Sequence, residues 1–172
     1  MMNLFTIKRL TALWLVNHVY VGTRCFEKKR KLLNSIGYEI GEGTKVVGPI
    51  FNTGKLVVGR NCWIGRDLRI EGNGSVIIGD SCDIAPSVTF LTGGHEIGDS
   101  NRRAGDGHIY TIHIGSGTWI GARATIGRNV TVGSGSVVAA CACVMSSVNE
   151  NTMVGGVPAK VIKILKDDED VA

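Results

Sequence analysis

Residues 114–137 read IGSGTW, IGARAT, IGRNVT and VGSGSV, consecutive six-residue units that each open on Ile or Val followed by glycine. A period of six suits neither the 3.6-residue turn of an α-helix nor an ordinary hairpin array. Followed outward, the rhythm places unit starts at Ile40, Val46, Asn52, Val58, Ile64 and Ile70, slips by two residues to Ile78, Ile84 and Phe90, and resumes at Ile114 through Val138 and Val144. Only Asn52 is polar. The second place is small (Gly41, Gly59, Gly65, Gly79, Ala85, Gly115, Gly121, Gly127, Gly133), and the fourth is often Gly, Asn or Asp (Gly43, Asn61, Asp67, Gly117, Asn129, Gly135). Those last types tolerate left-handed backbone, so they suit corners between short strands. Three units then make one triangular coil with the apolar starts stacked inside and successive coils paired as parallel strands about 4.8 Å apart. The pattern predicts a parallel β-helix.

The rhythm breaks after Phe90, in FLTGGH (90–95). Continued through the gap, it would turn Glu96, Arg102 and His108 into an apolar core. The chain therefore leaves the wall at His95, and the excursion over 92–112 exceeds the roughly 12–15 residues beyond which loops are usually functional or disordered. A loop of that length with a histidine at its root is a candidate to enclose a reaction site.

The 172 residues are 44% hydrophobic, enough for one domain with a real core. Twenty-four glycines with three prolines and no three-residue period exclude collagen, so the glycines belong to turns. A net charge of +4 is split between EKKRK (27–31) and an acidic end, KDDEDV (166–171); solvated charge is the reading, and no nucleic-acid partner is expected. Five cysteines without CxxC spacing speak against a disulfide framework or a zinc site. Cys62 and Cys82 fall at the fifth place, where other units carry Thr44, Leu68, Val88, Ala124 and Val130, and read as small core residues. Cys141 and Cys143 are expected to pack as well.

The stretch IKRLTALWLVNHVYVG (7–22) imitates a signal peptide, but Asn17 and His18 interrupt the apolar run and no A-x-A site follows. The expectation is a cytoplasmic protein. Leu4, Ile7, Leu10, Leu13 or Trp14, then Leu32, Leu33 and Ile36, recur at helical spacing, which predicts a helical segment over 1–38 that caps the first coil. Contact with a membrane surface through the same face is the alternative. The expected division is a cap over 1–38, a β-helix over 39–165 and an acidic tail over 166–172.

The hexads, TGGH (92–95), TWIGARATIGRNVTVGSGSVV (118–138) and VGGVPAKVI (154–162) together resemble the hexapeptide-repeat acyltransferases, over roughly 38–165. Within them the likeness is to the maltose/galactoside type and the polysaccharide O-acetyltransferases, with serine acetyltransferase a near relation. The resemblance implies a left-handed coil, a homotrimer with active sites between subunits, acetyl-CoA as donor and no metal. It makes His95 the catalytic base, a role suited to an imidazole whose ordinary pKa is near 6.5. Glu96 or Glu71 is the expected partner fixing its tautomer. Trp119 is expected to border the pantetheine arm, Gly121, Ala122 and Ala140 to offer backbone groups to its amides, and Lys160 and Lys163 to meet phosphates. Where galactoside-type enzymes carry a sugar-binding asparagine and aspartate, this chain has Gly65 and Asn73, and Met145 and Ser146 stand where a basic residue is usual. Asn73 and Asp83 remain as acceptor candidates. His18, His108 and His113 read as helix or surface residues. The reading is acetyl transfer to a hydroxyl of a sugar or polysaccharide precursor in a ternary complex. Serine O-acetylation is the enzymatic alternative, and a non-catalytic scaffold or a carbonic-anhydrase-like metalloprotein the alternative of another class.

Overall fold

The computed structural model describes residues 3–166; all but the first residue of the predicted acidic tail lies outside them. The chain is a left-handed parallel β-helix of about six turns, fronted by two helices. Its first face stacks Glu39–Ile40, Lys55–Val58, Ser75–Ile78, Thr111–Ile114 and Thr131–Val132. The second runs from Lys45–Val46 through Trp63–Ile64, Asp83–Ile84, Trp119–Ile120 and Val137–Val138 to Thr152–Gly156, and Ala159–Ile164 folds back antiparallel on its last edge. The third stacks Ile50–Asn52, Leu68–Glu71, Thr89–Leu91, Thr125–Ile126 and Cys143–Val144.

The hexad starts form the core. Ile40, Val46, Val58, Ile64, Ile70, Ile78, Ile84, Phe90, Ile114, Ile120, Ile126, Val132, Val138 and Val144 are all buried, each side chain stabilising by about 1.5–3 kcal/mol on leaving water. Asn52 occupies the inward place in register with Ile70, and its Oδ1 accepts from the Gly54 amide at 2.7 Å. Corners turn at the fourth place, where Asn61, Asp67 and Asn129 have φ of 56°, 58° and 56°. Ser81, Ser87, Arg123 and Cys141 take the same conformation without being Gly, Asn or Asp. Cys141 is therefore exposed at a corner and Cys143 half-buried, which corrects the expectation that both pack inside.

One fifth-place corner carries a ladder of Thr44, Cys62, Cys82, Thr118, Ser136 and Thr152, all buried. Thr44 Oγ1 donates to the Gly59 carbonyl and accepts from Cys62 N. Cys62 and Cys82 donate to the Gly79 and Gly115 carbonyls, both at 3.1 Å. Contact with Cys62, together with burial, holds the Cys82 thiol above the usual range.

The helical segment comprises α1 (Leu4–Trp14), a π-helical turn over Leu15–Val19 and α2 (Phe26–Asn34). The stripe holds at α2, where Leu33 and Ile36 are buried, but along α1 it is turned the other way: Ala12 and Val16 are buried, whereas Leu4, Ile7, Leu10 and Trp14 are exposed. The open edges of the first coil are polar backbone, so polar side chains close them. Asn34 bonds both the N–H and C=O of Ile40 at 2.8 and 3.0 Å. Asn17 does the same for Ile50 at 2.9 and 2.8 Å. Lys29 donates to the carbonyls of Gly22 and Val47 at 2.7 and 3.0 Å. One member of the 27–31 run is thus buried rather than solvated, and burial pushes its ammonium below the usual lysine range. Asn17→Ala leaves both Ile50 groups without that partner; a loss of about 1–3 kcal/mol is expected, read as a lower urea midpoint at unchanged m-value.

Candidate active site

The excursion predicted as a loop is a two-stranded antiparallel ribbon, Gly93–Ile97 against Ala104–Ile109. Its roots clasp each other at the corner between the third and first faces. Tyr110 N donates to the Thr92 carbonyl at 2.8 Å, and buried Thr92 Oγ1 donates to the Glu71 carbonyl at 3.0 Å. The coil resumes at Thr111, paired with Ser75 as though nothing had been inserted.

His95 stands on this ribbon, opposite Gly107, where the register shifts between His95 and Ile97. Such irregularities re-aim side chains. Here His95 Nδ1 lies 2.9 Å from the Gly105 carbonyl oxygen. A carbonyl can only accept, so Nδ1 carries the proton and the Nε2 lone pair is left for chemistry. Arg128, from the next coil, donates from Nη1 to the His95 carbonyl at 3.1 Å and lies over the Tyr110 ring at 5.8 Å. It ties the ribbon to the wall.

Neither expected carboxylate reaches the imidazole within the protomer. Glu96 Oε1 is 3.0 Å from His108 Nε2, and Glu71 faces Arg69 at 3.9 Å. Alternating side chains on a strand point to opposite faces, so Glu96 leaves His95 by geometry, and a backbone carbonyl takes the orienting place. Gly105 and Arg128 were absent from the sequence reading. A carbonyl has no residue signature, and Arg128 sits at a third place also filled by Arg60 and Arg66.

A second set of candidates gathers at a different corner, between the second and third faces. A groove of about 580 Å³ runs across the coils there, lined by Arg66, Asp67, Pro86, Ala122, Ala140 and Cys141, among others. Gly121 keeps the coils in contact beneath it: a Cβ there would meet Ala140 N at 2.5 Å. Pro86 also borders a cavity of about 360 Å³ formed by Trp63, Asp83, Ile84, Ala85 and Trp119. Trp63, Asp83 and Trp119 are outward neighbours in register on three successive strands, and Asp83 has no ion pair among the described residues. Trp119, Gly121, Ala122, Ala140 and Asp83 are thus brought together. Lys160 and Lys163 stand exposed on the terminal strand of the second face and line neither cavity. Asn73 is exposed between Gly72 and Gly74, one coil from the ribbon root. Among the described residues no three His, Cys, Asp or Glu side chains converge as a metal-binding group.

Residues 111–145 match the family described as bacterial transferase hexapeptide (six repeats). The chain is also 34% identical over 143 residues to the galactoside O-acetyltransferase of Escherichia coli (strain K12), across 82% of this chain and 70% of that protein. It belongs to the hexapeptide-repeat acyltransferases. Among solved structures, this acyltransferase is similar to a hexapeptide-repeat acetyltransferase from Vibrio cholerae O1 biovar eltor complexed with acetyl coenzyme A. That likeness has a TM-score of 0.81 at 26% identity and covers 95% of this chain and 88% of that one. A galactoside acetyltransferase in complex with coenzyme A gives a TM-score of 0.78 at 28% identity, over 97% and 85% of the two chains.

Proposed function

We propose that this acyltransferase moves an acetyl group from acetyl-CoA to a saccharide hydroxyl, in a ternary complex at a site shared by neighbouring copies of the chain. The observation that carries the reading is the placement of its two halves. His95, with Nε2 unengaged, stands at the corner between the third and first faces, and the groove over Ala122 and Ala140 opens at the corner between the second and third. Within one protomer the third face lies between the two, whereas the ribbon corner of one copy set against the groove corner of the next would bring them together. The exposed Ile97 and Ile109 on the ribbon support contact with a neighbour, and a homotrimer is the closed symmetry a three-sided prism suits.

The groove would take the carrier arm, with Gly121, Ala122 and Ala140 presenting backbone groups, Trp119 at its edge and Lys160 and Lys163 toward the phosphates. His95 Nε2 removes the acceptor hydroxyl proton as the oxygen attacks the thioester carbonyl. Backbone N–H donors hold the oxyanion. The C–S bond then breaks, and the departing thiolate takes up the proton from the imidazolium. Asp83 between two indoles suits a sugar ring, since the aromatic faces receive its C–H surface and the carboxylate accepts from hydroxyls. Asn73, beside the ribbon root, would meet the acceptor from the other copy. A cytoplasmic setting fits the donor and five unpaired cysteines.

The test is thiol release from acetyl-CoA against a panel of sugars, sugar nucleotides and L-serine. Release with a saccharide is expected; release with L-serine alone would replace the acceptor, and no release together with no coenzyme A binding would favour a scaffold. Asp83→Asn weakens a charge-assisted contact, so the acceptor KM is expected to rise about tenfold or more with the acetyl-CoA KM unchanged.

A further inference from the structure

We propose that α1 and the residues that follow it form a membrane-surface contact, taking an anionic phospholipid bilayer as partner. The helix is amphipathic in the opposite sense to a capping helix. Its small residue Ala12 faces the coil with Val16, while Leu4 (83% exposed), Ile7 (44%), Leu10 (54%) and Trp14 (55%) make one continuous outward face. Val19 and Val21 extend the exposed apolar surface.

Charge selects the occupant. The first 26 residues hold Lys8, Arg9 and Arg24 and no Asp or Glu; the first acid, Glu27, is paired with Arg30 at 2.8 Å. Where the π-helical turn meets α2, Lys28 and Lys31 rim a notch of about 360 Å³ whose other walls include Leu15, Tyr20 and Leu32. Apolar floor and cationic rim match acyl chain and phosphate headgroup in turn. Two copies meeting through this surface would face each other with like charge. Among the described residues no helix is long and apolar enough to cross a membrane, so the contact lies in the interface plane.

The experiment is flotation of the full chain with vesicles of phosphatidylcholine, with and without phosphatidylglycerol, beside size-exclusion chromatography without lipid. The full chain is expected to float with the phosphatidylglycerol vesicles, less so at high salt. The triple substitution Ile7→Ser, Leu10→Ser, Trp14→Ser, at positions already in solvent, is expected to weaken flotation by at least about tenfold with unchanged circular dichroism. Absence of flotation at low salt, or equal flotation of the triple variant, would overturn the proposal. So would a larger assembly of the wild-type chain that the triple variant dissociates, because the face would then be an interface between copies. The flotation outcomes do not bear on acetyl transfer, which is read by thiol release without lipid.

Discussion

Replacing His95 with alanine is expected to lower the rate of acetyl transfer by about 10²–10⁴-fold while acetyl-CoA still binds. The ring is exposed and supports no core residue, so the coil has no reason to respond. What disappears is the Nε2 lone pair that the Gly105 carbonyl, by holding Nδ1–H at 2.9 Å, keeps available. Without it the hydroxyl must attack while still protonated, or give its proton to water. A loss confined to the acceptor-dependent step, with donor binding retained in calorimetry, supports the assignment. A variant within threefold of wild type would remove His95 from the chemistry.

Exchanging residues 98–107 for a short Gly-Ser link is expected to be as damaging as losing the imidazole. The exchange takes away Gly105, which orients the ring, and Gly107, which pairs with His95 across the ribbon. It leaves Thr92, Tyr110 and their hydrogen bonds to the wall, so the flanking coils still stack. The melting temperature and the β-sheet circular dichroism should therefore hold while transfer is lost. Transfer retained with the shortened ribbon would show that a flexible root suffices and that the ribbon encloses nothing the reaction needs.

Much of the coil was legible because a parallel β-helix repeats one physical requirement: an apolar side chain every sixth residue and a tight corner between. Ile64, Ile84, Ile120 and Val138 could be read as inward for that reason, and the burial of each agrees. Residue type signalled the corners less completely. Ser87, Arg123 and Cys141 adopt positive φ because their neighbours in the stack fix the turn, whatever the side chain. The N-terminal helix misled for a related reason. Helical spacing identifies an apolar stripe but not which side the coil occupies, and the first coil needed hydrogen-bonding partners that Asn17, Lys29 and Asn34 supply.

The site divides the same way. The place of His95 follows from where the rhythm stops, but Glu96 looked like its partner because adjacency in sequence says nothing about the pleat, which sends Glu96 to His108. The Gly105 carbonyl and the Arg128 guanidinium come from the ribbon's far strand and the next coil, contacts that only the folded register creates. The pairing of Trp63, Asp83 and Trp119 likewise depends on a stack 20 and 36 residues apart, and the second interval contains the whole excursion.

The shared site is tested most directly by mixing two inactive chains. His95→Ala retains the groove, and Ala140→Trp retains the histidine while filling the groove at the other corner; each alone should be inactive as a homo-oligomer. Co-expressed with different tags and purified through both, the mixed oligomers are predicted to regain acetyl transfer, approaching roughly a third of the wild-type sites, because every mixed trimer holds one junction where an intact histidine meets an intact groove. Mixed oligomers as inactive as their parents would contradict the account, because base and donor groove would then have to come from one and the same chain.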